Sequence, residues 1–93
     1  MIRSFASRET ERLFNRQFVR TLPHDLQRKM RAKLELLAAA DQLEDLRIPP
    51  GNRLERLSGN REGQFSIRVN DQWRICFEWR HNEAYNVEIV DYH

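Results

Sequence analysis

From Phe65 onward the chain alternates between apolar and polar positions. Phe65, Ile67 and Val69 interleave with Gln64, Ser66 and Arg68, and after Asn70-Asp71 the same period returns: Trp73, Ile75, Phe77 and Trp79 interleave with Gln72, Arg74, Cys76 and Glu78. Successive side chains of a strand point to opposite faces, so the pattern predicts an antiparallel hairpin closed by a tight turn at Asn70-Asp71. A second turn near His81-Asn82-Glu83 leads to Tyr85, Val87 and Ile89 alternating with Asn86, Glu88 and Val90. Residues 53–57 read as a further short strand ahead of a loop over 59–63, and residues 2–5 as another.

Before the break at Ile48-Pro49-Pro50-Gly51-Asn52 the period is helical. Two prolines forbid helix there, and Gly51-Asn52 permits a turn. Ser7 can cap a helix running to about residue 18, with Leu13, Phe14 and Phe18 on its apolar side. Pro23 suits the first turn of a second helix, whose Leu26, Met30, Leu34 and Leu37 recur at helical spacing through Ala38-Ala39-Ala40. Asp41 with Glu44 can cap one further turn through Leu46. The expected fold is α+β: two N-terminal helices on one face of a twisted, mostly antiparallel sheet of four to five strands, with a more polar opposite face.

Length sharpens this to one domain spanning 1–93, since 93 residues bury roughly 60–65% of the unfolded chain's surface. The 16 Lys+Arg and 14 Asp+Glu leave a net charge of +2, but the charge is polarised. Residues 1–33 carry nine basic and three acidic groups, and fourteen of the sixteen basic residues are arginine, which forks onto phosphate as lysine cannot. An anionic partner follows as the first expectation. The single Cys76 excludes an internal disulfide and reads as a small core side chain in a reducing compartment. No run approaches transmembrane length, and the start Met1-Ile2-Arg3-Ser4-Phe5 lacks a signal peptide's apolar stretch, so the expectation is a cytoplasmic protein without membrane contact.

Three sets of residues carry possible chemistry. Arg8, Arg12, Arg16 and Arg20 stand four apart, so on a helix they make a basic stripe about 16–18 Å long, either laid along a nucleic-acid backbone or simply solvated. Arg68 and Arg74 flank the Asn70-Asp71 turn and leave the apolar face together by parity, and Arg61, between Gly59 and Gly63, can reach the same surface. Three guanidinium groups there either hold a scissile phosphate and its transition-state charge or pair across strands with Glu62, Asp71, Glu78 or Glu88. At the end of the last strand, Asp91, Tyr92 and His93 bring an acceptor, a hydroxyl and a group titrating near neutrality, as RNA cleavage by a neighbouring 2′-OH requires; the alternative is a frayed terminus. Strand parity puts Asp91 and His93 on one side and Tyr92 on the other. His24 and His81 lack clustered partners, so no metal site and no cofactor are expected.

The stretch Pro49-Pro50-Gly51-Asn52-Arg53-Leu54-Glu55, the loop Gly59-Asn60-Arg61-Glu62-Gly63-Gln64, the run from Ser66 to Phe77 with its Trp73-Arg74 pair, and the ending Val87-Glu88-Ile89-Val90-Asp91-Tyr92-His93 resemble HigB-type toxins of the RelE/ParE superfamily, particularly the GraT-like branch. The resemblance implies a RelE-like fold and a bacterial type II toxin that enters the ribosomal A site and cuts messenger RNA without a metal. It implies neutralisation by a HigA-like helix-turn-helix antitoxin, through which alone the toxin meets operator DNA. Arg74 then falls at the phosphate-clamping arginine, Asp91, Tyr92 and His93 at the catalytic ending, and Arg53, Glu55, Arg61 and Arg68 at substrate-binding places. The chain departs from the pattern at Glu55 and Ser58, where HigB relatives carry histidine and lysine, which leaves the acid and base parts open between Asp91 and His93, with Glu55 a further candidate. A non-nuclease toxin, either a ParE-like DNA gyrase poison or a ribosome-binding inhibitor, is the alternative the superfamily offers.

Overall fold

A computed structural model describes residues 1–92; His93 lies outside the described residues. The first helix, α1 (Arg8–Phe14), is capped by Ser7, whose hydroxyl accepts from the Thr10 backbone N–H at 3.1 Å. It ends four residues sooner than the apolar spacing predicts. Arg16 adopts φ 65°, its N–H bonds to the Leu13 carbonyl at 3.0 Å, and the Gln17 N–H reaches the Arg12 carbonyl at 2.9 Å. Those two bonds make a Schellman stop with arginine in the place glycine usually takes. The four-arginine stripe is thereby broken: Arg8 and Arg12 belong to the helix, whereas Arg16 turns away to pair with Glu35 at 3.4 Å and Arg20 lies beyond.

Pro23 opens a short 3-10 turn, His24–Leu26, that runs into α2 (Gln27–Ala39). Gln27 replaces a simple cap: its side-chain amide donates to the Leu22 carbonyl and, by a very short bond, to the Val19 carbonyl, while its oxygen accepts from the Val19 N–H, so the loop between the helices is tied down by one buried side chain. Met30, Leu34 and Leu37 are wholly buried, as the helical spacing predicts. The turn after α2 is Leu43–Arg47, and its capping box is formed by Gln42 and Asp45 rather than by Asp41 and Glu44. A further turn, Pro50–Asn52, follows the cis Ile48–Pro49 peptide.

Four strands, β1 (Glu55–Arg56), β2 (Gln64–Arg68), β3 (Trp73–Arg80) and β4 (Glu83–Asp91), form an antiparallel sheet in chain order. The first hairpin closes on Asn70, whose side-chain oxygen accepts from the backbone N–H groups of Gln72 and Trp73 at 2.9 and 2.8 Å. The second closes on His81 and Asn82, both left-handed at φ 53° and 61°, the pair of conformations that matches strand twist. Residues 2–5 form no full strand. Ile2 and Phe5 make single parallel bridges to Ala84 and Val87 along the outer edge of β4.

On β4 the expected alternation breaks. Asn86, at φ 53°, is an extra residue opposite Phe77, so the register shifts by one between Cys76↔Glu88 and Glu78↔Tyr85. Ala84 and Val87, three apart, therefore both face the core, whereas Tyr85, expected beside Val87, turns to the other face beneath the Arg80 guanidinium at 4.1 Å. The core lies between the helices and the sheet's first face: Leu13, Met30, Leu34 and Leu37 meet Ile67, Ile75, Phe77, Ala84 and Val87. The second face is left to the polar residues that follow.

Candidate functional site

Register alone places one row of side chains straight across the second face: Glu55 opposes Ser66, Ser66 opposes Cys76, and Cys76 opposes Glu88. The middle pair is small and fully buried, and the ends are carboxylates. Over this floor lie two arginines. Arg74, one step along β3, leans back so that its Nε donates to Ser66 Oγ at 2.7 Å and Nη2 to the Arg53 carbonyl at 2.7 Å; Nη1 stands 3.7 Å from Glu55 Oε1. Arg61 comes in from the loop after β1, and its Nη1 donates to both Gln64 Oε1 and Glu88 Oε1 at 3.0 Å.

Arg74 as a whole residue is only 8% exposed, and a charge so buried is costly unless its donors are satisfied. Here Ser66 and the Arg53 carbonyl occupy one side of the planar fork. The end formed by Nη1 and Nη2 is the side left for a bidentate anion, with Glu55 next to it. The Tyr92 ring lies 5.8 Å from the Arg74 Cζ, a cation–π distance, and Tyr92 is held there by its backbone N–H on the Gln72 carbonyl at 2.6 Å. Arg68, directly opposite Arg74 across the ladder, pairs with Asp71 of the adjoining turn. Beneath them burial pushes the Cys76 thiol pKa up; Glu88 adds to the rise, and Arg61 and Arg74 pull against it. The result is an oriented set of cations with an aromatic ring at the rim, suited to a phosphate flanked by a base.

A family model for the RelE-like toxin of the type II toxin-antitoxin system HigB matches residues 3–93. This chain belongs to the HigB family of RelE-like toxins. It is 49% identical over 67 residues to Toxin HigB-1 of Vibrio cholerae serotype O1, covering 72% of this chain and 70% of that protein. It is 30% identical over 93 residues to Endoribonuclease HigB of Proteus vulgaris, covering 100% of each. Among solved structures, two YoeB–YefM complexes from Staphylococcus aureus share its fold, with TM-scores of 0.57 and 0.58 at 15% and 18% identity, each covering 100% of this chain and 98% of the other. The expected RelE-like architecture is thus the one found, with four strands in the sheet.

Within this HigB fold the residues singled out from sequence divide into groups. Arg61, Arg68 and Arg74 share the second face, and Glu55 joins them through its contact with Arg74. Arg53 contributes its backbone carbonyl to Arg74, while its side chain is exposed. Of the terminal residues, Tyr92 meets Arg74; Asp91 pairs across the ladder with Trp73, and its Oδ2 accepts from Gln72 Nε2 at 3.3 Å. Asp91 therefore leaves the strand on the side away from Tyr92. His93 lies outside the described residues. Sequence reasoning passed over Ser66 and Gln64 as holders of arginine. The available signal was the small Ser66 between Phe65 and Ile67, directly opposite another small residue, Cys76. Among the described residues no group of three or more His, Cys, Asp or Glu is placed to hold a metal ion.

Proposed function

We propose that this toxin is a ribosome-dependent messenger-RNA endonuclease that works by 2′-OH attack and is neutralised by a HigA-like helix-turn-helix antitoxin. The observation that carries the reading is the fixed Arg74 guanidinium, held by Ser66 and the Arg53 carbonyl with its open end beside Glu55 and Tyr92 over it. The endoribonuclease named in Proteus vulgaris, alike over the whole chain, supports the same chemistry.

In the proposed reaction the 2′-oxygen attacks the neighbouring phosphorus, its proton passes to a base, the bond to the 5′-oxygen breaks, and an acid protonates that oxygen. A 2′,3′-cyclic phosphate and a 5′-hydroxyl result. Arg74 grips the non-bridging oxygens and offsets the charge that grows on them, while Arg68 and Arg61 hold the flanking backbone. Tyr92 stacks on a base or orients the 2′-OH. Glu55 is the carboxylate beside the clamp and takes the base part; the acid part is assigned to His93, since Asp91 leaves the strand on the side away from Tyr92. Guanidinium charge does the work a metal would otherwise do, so cutting should be unchanged as magnesium is varied within the range that keeps the ribosomes intact. Operator DNA enters only through the antitoxin complex.

Inducing the chain and mapping transcript 5′ ends tests this. Codon-linked cuts are expected from the parent, and cutting at the same sites at least about 10²–10³-fold slower from a folded Arg74→Ala variant. Growth arrest with DNA breaks and uncut transcripts would point instead to a gyrase poison.

A further inference from the structure

We propose that Asn52 is a positioning residue for Arg74, acting through the backbone carbonyl of Arg53; the catalytic part of this inference rests on reading Arg74 as the phosphate clamp. Asn52 is fully buried, and its side-chain hydrogen bonds go to residues outside the arginine cluster. Its Nδ2 donates to the carbonyls of Leu46 and Ile48 at 3.2 and 3.3 Å, and its Oδ1 accepts from Lys33 Nζ. Both amide hydrogens and one oxygen lone pair are thus used, and one side chain ties α2 and the Leu43–Arg47 turn to the Pro50–Asn52 turn.

The residue after this anchor has an unusual backbone. Arg53 sits in the left-handed region at φ 44° and ψ 58°, closed by its N–H on the Pro50 carbonyl at 3.1 Å. A non-glycine residue persists there only when its surroundings over-determine it. The consequence is that the Arg53 carbonyl turns toward the sheet and takes Nη2 of Arg74 at 2.7 Å. Ser66 grips Nε, on the same side of the fork. With one acceptor the guanidinium plane can still swing about that single bond; with two acceptors on Nε and Nη2 its plane and heading are set, and Nη1 is left beside Glu55. Ser66 belongs to the sheet and is there regardless. The second acceptor exists because Asn52 holds the turn that presents it.

The test uses the purified full chain with two substitutions, Asn52→Ala and the gentler Lys33→Gln, which removes the ammonium from Asn52 Oδ1 at a half-exposed site. Exchange of the Arg74 Nη2 hydrogens with water, read by NMR, should speed up by about tenfold in either variant while the backbone amides of Met30 and Leu34 stay protected. On ribosome-bound transcripts kcat should fall roughly 10–100-fold with KM little changed, as expected for a misaimed catalytic group. In an Arg74→Ala background, Asn52→Ala should cause no further loss, since the two act as one unit. Unaltered Arg74 exchange in either folded variant overturns the inference, and so does an undiminished loss in the Arg74→Ala background. Should Asn52→Ala fail to fold, Lys33→Gln decides alone. If the parent cuts no transcript, the ribonuclease reading falls, while the exchange measurement still judges whether Asn52 aims Arg74.

Discussion

The arginines of α1 and those of the sheet's second face are the same side chain in opposite circumstances. Arg8, Arg12 and Arg20 stand exposed, and Arg16 makes only a solvent-facing pair with Glu35, of a kind worth about 0–1 kcal/mol. Arg61 and Arg74 are instead held by named acceptors, Gln64 and Glu88 for one, Ser66 and the Arg53 carbonyl for the other. Both regions attract anions. Only the second can tell one geometry of phosphate from another, because its donors do not have to be ordered at the moment of binding. In the reading proposed above, positive charge supplies encounter, whereas held guanidinium groups supply the reaction.

Arg74→Lys separates those contributions most sharply. Lysine keeps the charge but loses the fork, and leaves Ser66 Oγ and the Arg53 carbonyl without their donor. The expected loss in kcat is about 10²–10³-fold, in the range for removing a preorganised donor to a developing oxyanion. Folding stability should drop by about 1–3 kcal/mol for the broken hydrogen bonds to a charged group, measured by denaturant unfolding. A lysine variant that cuts as fast as the parent would mean that charge alone suffices and that the contrast between the two regions is empty.

Tyr92→Ala comes next. Removing the ring takes away its packing on Arg74 and any stacking on a base, a loss of roughly 1–3 kcal/mol in RNA binding. Tyr92→Phe keeps the ring and should retain most of the binding; if it cuts as poorly as the alanine variant, the hydroxyl and not the face of the ring is what matters. Single-turnover cleavage at several toxin concentrations distinguishes a binding loss from a chemical one.

How far these contrasts could be seen in the residues themselves depends on what holds each feature. Alternation in Phe65–Ile67–Val69 and Trp73–Ile75–Phe77 was legible because one buried face forces period two, and parity alone then put Arg68 and Arg74 together on the other side. The end of α1 was not legible, since Arg16 occupies a left-handed position that glycine would normally announce. The β4 bulge has the same cause: Asn86 is left-handed without being glycine, and its N–H is taken by Ser4 Oγ at 2.8 Å, a partner 82 residues away. For the site, the arginines were visible and their holders were not. A backbone carbonyl such as that of Arg53 leaves no mark on residue identity, and Ser66 on a strand looks ordinary until Arg74 is found bonded to it.

A paired change, Arg12→Ala with Arg20→Ala, probes the other region. These two line a groove of ≈ 450 Å³ with Glu9, Phe18, Val19 and Thr21, on the helical side of the molecule. If they only assist encounter, kcat and the positions of cutting stay as in the parent, and binding weakens by a few-fold at low salt. The slope of log affinity against log salt should fall by about one for each phosphate that is no longer neutralised. A change in cleavage position would place these arginines against the message itself and erase the distinction drawn above.

The smallest effect concerns the floor beneath the clamps. Cys76 is fully buried, and burial raises its thiol pKa, with Glu88 adding to the rise against the pull of Arg61 and Arg74. A raised pKa means that the folded chain keeps the proton over a range of pH in which the unfolded chain has already released it. Stability therefore falls as pH climbs through that range, the slope following the number of protons bound by the unfolded minus the folded state. Below the ordinary thiol range the contribution is flat. The parent's melting temperature should decline between neutral and alkaline pH more steeply than that of Cys76→Ala, whose other titrating groups are the same, so the difference isolates the thiol. Parallel curves would mean that water and hydroxide reach the sulfur freely. Arg74 and Arg61 would then be no more shielded than Arg12 and Arg20, and the geometry attributed to their holders would have to come from bound RNA.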